Sequence, residues 1–237
     1  MHTLRFYLLV MPFSYFCVTA GLLFALLPGG RPIMRWFDRV LWSTGWCWLS
    51  RTSVELTGHK DALDQNQAYV FVSNHQSHFD IPTTKYVLRE RMIHFVTKKS
   101  MLWVPITGWY LYFAGYPLID RRKRHKALGT MQKAAQSIRG GSSLLVYPEG
   151  TRSADGAVKP FKLGAFVLAI ETQTPIVPIT VSGTRAIMPR GSFRVGKGHV
   201  KIHIGKAVEV DGFSYEDRDD LAAQVHGLIS EQYACQS

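Results

Sequence analysis

The chain is poor in cysteine and in negative charge, and each scarcity excludes something. Cys17, Cys47 and Cys235 are the only cysteines among 237 residues, too few and too scattered for a disulfide framework or a zinc-ligand pattern, which fits a reducing compartment. Asp and Glu number 17 against 28 Lys and Arg, a net charge of +11, so anionic partners are expected: phosphorylated small molecules, lipid headgroups, an acidic carrier protein or nucleic acid. No internal repeat, low-complexity linker or GxSxG nucleophile elbow occurs, so Ser77 lacks the context of a catalytic serine. A hydrophobic content of 46% is ample for a buried core.

Charge is also missing from one particular place. Phe6 to Leu27, "FYLLVMPFSYFCVTAGLLFALL", is a 22-residue run without a charged side chain. As a helix it has the reach of a bilayer's hydrocarbon core, about 30 Å. It ends in Pro28, Gly29, Gly30 and Arg31 rather than in the small-residue cleavage site of a signal peptide, so a retained anchor is expected. Arg31, Arg35, Arg39 and Arg51 follow it against Asp38 alone, and the positive-inside rule then places the rest of the chain on the cytoplasmic face of the membrane. Trp36, Trp42, Trp46 and Trp48 lie among those arginines. Two readings suit them: a helix at the membrane interface, or an aromatic-rich helix packed on the soluble core.

Beyond Val54 short apolar runs alternate with helical stretches, the pattern of an α/β fold with a central mixed sheet flanked by helices. Strands are predicted at 69–72, 93–96, 117–119, 144–147, 176–181 and 200–204. Leu128, Met131, Ala135 and Ile138 recur at helical spacing before Gly140 and Gly141, and 161–171 and 217–233 read as further helices. The organisation expected is a membrane anchor and interfacial helix over 1–52 and one soluble domain over 53–237.

The stretch "VSNHQSHFDIP", 72–82, holds His75, His78 and Asp80. Residues five apart point about 140° from each other on a helix and to opposite faces of a strand, so neither element joins His75 to Asp80. A strand, a tight turn and a helix do. Pro82 suits a first helical turn, and Asp80 then lies at the helix N-terminus, where negative charge is favoured. Folded back there, the carboxylate can accept the Nδ1–H of His75 and leave Nε2 as a base. Loop histidines satisfying turn hydrogen bonds, or a metal held by His75, His78 and Asp80, are the competing readings, though no downstream ligand cluster completes a metal site. A second stretch, "YPEGTRS" at 147–153, follows a predicted buried strand and offers Arg152 as a fork for phosphate, Gly150 for close backbone approach and Glu149 to orient a hydroxyl or a cation.

With "NHQSHFD", "GYPLIDR", "YPEGTR" and "TPIVPI" in that order between residues 74 and 179, the sequence resembles the glycerolipid acyltransferase superfamily, most closely the bacterial lysophosphatidic acid (1-acyl-sn-glycerol-3-phosphate) acyltransferases. The resemblance implies that His75 is the catalytic base and Asp80 its partner. It implies that Lys98, Arg121, Glu149, Gly150, Thr151 and Arg152 bind the glycerol phosphate, with His78 a bystander. It implies an acyl-CoA or acyl carrier protein as donor substrate, lysophosphatidic acid as acceptor, membrane lipids as surroundings, and no cofactor, metal or nucleic acid. The basic run "RRKRHK", 121–126, fits a surface for anionic lipid or donor and stands alone as a nucleic-acid patch, without a supporting motif. Another lysophospholipid or an acylated amino-acid lipid as acceptor, or a noncatalytic lipid-binding protein, are the alternatives.

Overall fold

The computed structural model describes residues 2–119 and 127–236, with side chains in the second stretch from 131 onward. A mixed six-stranded sheet forms its centre. In chain order its strands are β1 (Thr52–Gly58), β2 (Val70–Ser73), β3 (Ile93–Phe95), β6 (Ser143–Val146), β7 (Ile176–Ser182) and β8 (Gly198–Ile204). Their spatial order is β1-β8-β7-β2-β6-β3. Only β7 and β8 run antiparallel, while β7, β2, β6 and β3 form a parallel block. A separate parallel pair joins β4 (Thr97–Lys98) to β5 (Leu118–Ile119). The strands predicted from apolar runs are all present, shifted by a residue or two. β1 and β4 were not expected: β1 is polar, with most of its residues at least partly exposed, and β4 spans two residues.

Helices cover both faces of the sheet, because β2 and β7 are buried on both sides, as expected of parallel strands. One apolar layer gathers Phe71, Phe79, Leu145, Val177 and Ile179 with Phe6, Val10 and Trp46 from the N-terminal helices. The other packs Val70, Val72, Leu144 and Ile176 against α6 (Ala127–Arg139), α7 (Gly164–Thr172) and α9 (Arg218–Gln236).

The N-terminal run forms α1 (His2–Ala25), a helix of 24 residues long and apolar enough to cross a membrane. It lies along the domain rather than projecting from it. Thr3 Oγ1 donates to the Val195 carbonyl at 3.2 Å, Phe6 packs on Trp46 and Phe79, Trp42 Nε1 donates to Ser14 Oγ at 3.1 Å, and Gly21 meets Tyr110 and Met34. Its outer face leaves Leu4, Leu8, Phe16 and Leu23 exposed. The tryptophan-rich stretch continues as α2 (Arg31–Trp36), a π-helical turn (Phe37–Trp42) and α3 (Ser43–Ser50). Trp46 is buried in the core, as the packed-helix reading requires, whereas Trp36 and Trp48 face outward. Apolar packing is therefore continuous across residues 50–53.

Candidate active site

Three adjacent parallel strands, β7, β2 and β6, end at the same edge of the sheet, the edge where open α/β sheets place their ligands. The loop after β2 carries Asn74 to Phe79 and opens α4 (Asp80–Val87), the loop after β6 carries Tyr147 to Ser153, and β7 is followed by Gly183 and the short helix α8 (Thr184–Ile187). Topology thus brings the first and third sequence blocks together, and adds a segment that no block contains.

The turn after β2 folds as the residue spacing required. His75 Nδ1 lies 2.7 Å from Asp80 Oδ2, and Asp80 is the first residue of α4. The same oxygen accepts the backbone N–H groups of Gln76 (2.6 Å) and Ser77 (2.9 Å), while Oδ1 accepts the Thr184 hydroxyl at 2.5 Å. Asp80 is fully buried and surrounded by donors, so it favours the imidazole tautomer that carries its proton on Nδ1. The His75 side chain retains 17% exposure, enough for a substrate oxygen to reach it. Asn74 pins the turn to the sheet, with Nδ2 donating to the Val181 carbonyl and Oδ1 accepting the Val181 N–H, both at 2.8 Å.

The third block closes on the same histidine. Tyr147 stacks on the His75 ring with centroids 4.2 Å apart. Glu149 Oε1 accepts the His75 backbone N–H at 2.7 Å, and the Ser153 N–H donates to the His75 carbonyl, also at 2.7 Å. Glu149 is therefore tied first to the protein, and burial pushes its carboxyl up to about 7. Gly150 adopts φ +72, in the left-handed region where a side chain is strained, and so keeps the turn tight. Thr151 is exposed and Arg152 half-buried beside it. Burial lowers the Arg152 pKa, and the charge of Arg190 lowers it further.

Lys98 is exposed on β4, paired in register with Ile119. Arg121 and the run 121–126 lie outside the described residues. His78 points outward next to the dyad and makes no hydrogen bond with the described residues. The competing metal reading finds little room, since four donors occupy the Asp80 oxygens, and among the described residues no group of three or more His, Cys, Asp or Glu side chains converges. Sequence reasoning missed Thr184 and Arg190. No motif marks them, and only the strand order, which sets the end of β7 beside β2, reveals them.

A half-buried imidazole oriented by a carboxylate, next to a cationic turn and, among the described residues, with no serine or cysteine hydrogen-bonded to the imidazole, suits a base that activates a hydroxyl of the substrate rather than of the protein. Comparison with known proteins gives that chemistry a family. The Acyltransferase family model matches residues 53–182. A 1-acyl-sn-glycerol-3-phosphate acyltransferase from Haemophilus influenzae is 31% identical over 239 residues, covering 98% of this chain and 94% of that one. A chloroplastic 1-acyl-sn-glycerol-3-phosphate acyltransferase from Brassica napus is 32% identical over 91% of this chain and 67% of its own length. The human alpha form is 34% identical over 70% of this chain and 59% of its own. The crystal structure of the 1-acyl-sn-glycerophosphate acyltransferase PlsC from Thermotoga maritima has the same fold, with a TM-score of 0.83 at 24% identity over 98% of this chain and 93% of that one. The chain belongs to the Acyltransferase family.

Proposed function

We propose that the protein transfers a fatty acyl group from an acyl thioester to the sn-2 hydroxyl of lysophosphatidic acid, giving phosphatidic acid for phospholipid biosynthesis. The observation that carries this reading is the double attachment of His75: its ring is held by Asp80 and its backbone by Glu149 and Ser153 of the "EGTRS" turn. The base and the cationic turn therefore form one unit, as an acceptor that carries both a hydroxyl and a phosphate requires. Membership in the family, and the names its relatives carry, support the same substrates.

In this mechanism Nε2 of His75 takes the proton of the acceptor hydroxyl as the oxygen bonds to the thioester carbon. The tetrahedral intermediate collapses by breaking the carbon–sulfur bond, and the departing thiolate recovers the proton from the imidazolium. No acyl-enzyme forms, and thioester energy drives the step without cofactor or metal. Base catalysis of this kind contributes about 10²–10⁴-fold, and positioning by Lys98, Arg121, Gly150, Thr151 and Arg152 supplies much of the remainder. Glu149 holds the backbone of the base and borders the acceptor. The donor is acyl-CoA or an acyl carrier protein.

Residues 53–237 form the catalytic domain in this reading, and 1–52 attach it to the cytoplasmic face of the inner membrane. Because α1 is packed on the domain over much of its length, attachment is through one leaflet: the outer face of α1 and exposed Trp36, Trp48, Trp103 and Trp109 enter the interface together.

The decisive experiment measures phosphatidic acid formation from acyl-CoA and lysophosphatidic acid by membranes containing wild type or His75→Ala. Turnover by wild type alone supports acceptor and base together. Equal turnover by both removes His75 from the mechanism, and formation of another lysolipid's product instead replaces the acceptor.

A further inference from the structure

The segment from Gly183 to Arg190 is outside all four sequence blocks, yet one hydrogen bond fastens it to the dyad and a second to the turn between His75 and Asp80. Thr184 Oγ1 donates to Asp80 Oδ1 at 2.5 Å, and Ser77 Oγ donates to the Met188 carbonyl at 2.7 Å. After Pro189 comes Arg190, whose Nη1 donates to the backbone carbonyl of Arg152 at 3.1 Å. That contact occupies one of the five N–H donors of a guanidinium and leaves the remainder to other partners. Arg190 and Arg152 are thereby held close enough for their charges to repel; Asp80 offsets part of that repulsion at Arg152, and among the described residues neither arginine makes a direct ion pair with a carboxylate.

Asp80, whose oxygens already accept from His75, Gln76, Ser77 and Thr184, makes no direct ion pair with either arginine, so like charges brought together here favour an anion that settles between them. Two guanidinium forks from different loops match the charge and oxygen geometry of a phosphomonoester, which is dianionic and presents three acceptor oxygens. A second arginine touches the same loop and sharpens the comparison. Arg185 Nη2 donates to the Ala154 carbonyl at 3.0 Å and lies against Gly156, so it braces the loop two residues past Arg152. Both arginines staple the loop; Arg190 alone adds its charge to that of Arg152.

We propose that Arg190 is the second arm of a two-arginine clamp that, with Arg152, grips the phosphate of the acceptor. This rests on the acceptor reading above and extends the site to a loop that its sequence blocks do not reach. The clamp explains why the segment after β7 is bonded to the dyad: the same segment that braces Asp80 delivers a phosphate ligand, which keeps the base and the headgroup site in register.

Two measurements test the clamp. The first compares Arg190→Gln, Arg190→Lys and Arg185→Gln for KM of lysophosphatidic acid and of the donor. Arg190→Gln is expected to raise the acceptor KM about tenfold or more, the worth of one charge-assisted hydrogen-bond pair, with donor KM unchanged. Arg190→Lys recovers part of the loss, and Arg185→Gln leaves both KM values at wild type. The second titrates the detergent-solubilised protein with glycerol 3-phosphate and follows its thermal unfolding, which needs no turnover. Stabilisation in wild type and Arg185→Gln that vanishes in Arg190→Gln supports the clamp. Stabilisation that survives in Arg190→Gln, equal effects of the two glutamine variants, or a shift in donor KM would overturn it. A wild type that binds glycerol 3-phosphate through Arg190 but does not acylate lysophosphatidic acid would count against the proposed acceptor alone.

Discussion

Thr184 Oγ1 donates to Asp80 Oδ1 at 2.5 Å, joining the end of β7 to the start of α4 across 104 residues of chain. Together with the two backbone N–H groups on Oδ2, this hydroxyl fixes the carboxylate plane that orients His75. Thr184→Val keeps the branched shape and removes the donor, leaving a fully buried carboxylate oxygen unsatisfied. A loss of about 1–3 kcal/mol is expected. Where that loss falls on the transition state, kcat drops by roughly 5- to 150-fold with KM little changed. Thr184→Ser should restore most of it. A valine variant with wild-type kcat would make Thr184 a packing residue only.

The carboxyl of Glu149 gives the fold a pH dependence of unusual sign for an acid. Burial raises it from an ordinary 4.5 to about 7 in the folded protein. The folded state therefore holds the proton more tightly than the unfolded chain, so this contribution is complete below about 4.5 and is lost as pH rises through about 7. Glu149→Gln removes the titration while keeping an oxygen to accept the His75 N–H. Relative to that variant, wild type should lose stability between those two values, with a slope no steeper than about 1.4 kcal/mol per pH unit. Denaturant midpoints measured at half-unit intervals would show it, and a difference that grows in the opposite direction would refute the burial argument.

The parts of this site that could be read in the sequence are those whose partners are near in the chain. The distance from His75 to Asp80 required a strand, a turn and a helix, and Pro82 set where the helix begins; all three are present. The attachment of Glu149 to the His75 backbone was not legible, because it depends on β2 and β6 being neighbours in register. Thr184 was hidden for the same reason, since nothing in "SGTRAIMPR" differs from an ordinary loop until β7 is placed beside β2. The anchor shows a different limit. An uncharged run of 22 residues satisfies the length requirement of a membrane span, but its hydropathy does not reveal that Phe6, Val10, Cys17 and Gly21 form one buried stripe.

The exposed aromatic residues beside α1 carry a prediction about attachment. Trp103, Trp109 and Phe113 are exposed by 87%, 57% and 59%, and the helix that bears the last two, α5 (Thr107–Phe113), packs on α1 through Tyr110. Replacing all three with Ser should leave the fold intact, because none is in the core, and should weaken partition into anionic vesicles by at least about tenfold, since each loses roughly 1.5–3 kcal/mol of available apolar burial. Co-sedimentation at two salt concentrations, with detergent-assayed activity as the folding control, measures this. Unchanged partition would leave α1 as the sole membrane contact.

Lys85 presents the opposite problem, a charge with almost no access to water. Its Nζ donates to Asp38 at 2.5 Å and to the Tyr116 hydroxyl at 2.7 Å, Tyr116 donates in turn to Asp38, and the ring faces of Trp42 and Phe95 lie within 5.7 Å. Burial pushes the ammonium's pKa down and Asp38 opposes that shift. Breaking such a pair from either side strands the other charge and costs about 3–5 kcal/mol, whereas replacing both partners with apolar groups of similar size is often neutral. Lys85→Met and Asp38→Leu alone should therefore be strongly destabilising in thermal or urea unfolding, and the double variant should recover most of the loss. Lys85 lies on α4, five residues past Asp80, and Asp38 lies on the π-helical turn of the tryptophan-rich segment. If packing is all that this cluster provides, kcat will return with stability in the double variant. If kcat stays low while stability returns, the ion pair sets the position of α4, and with it the dyad, against the N-terminal helices.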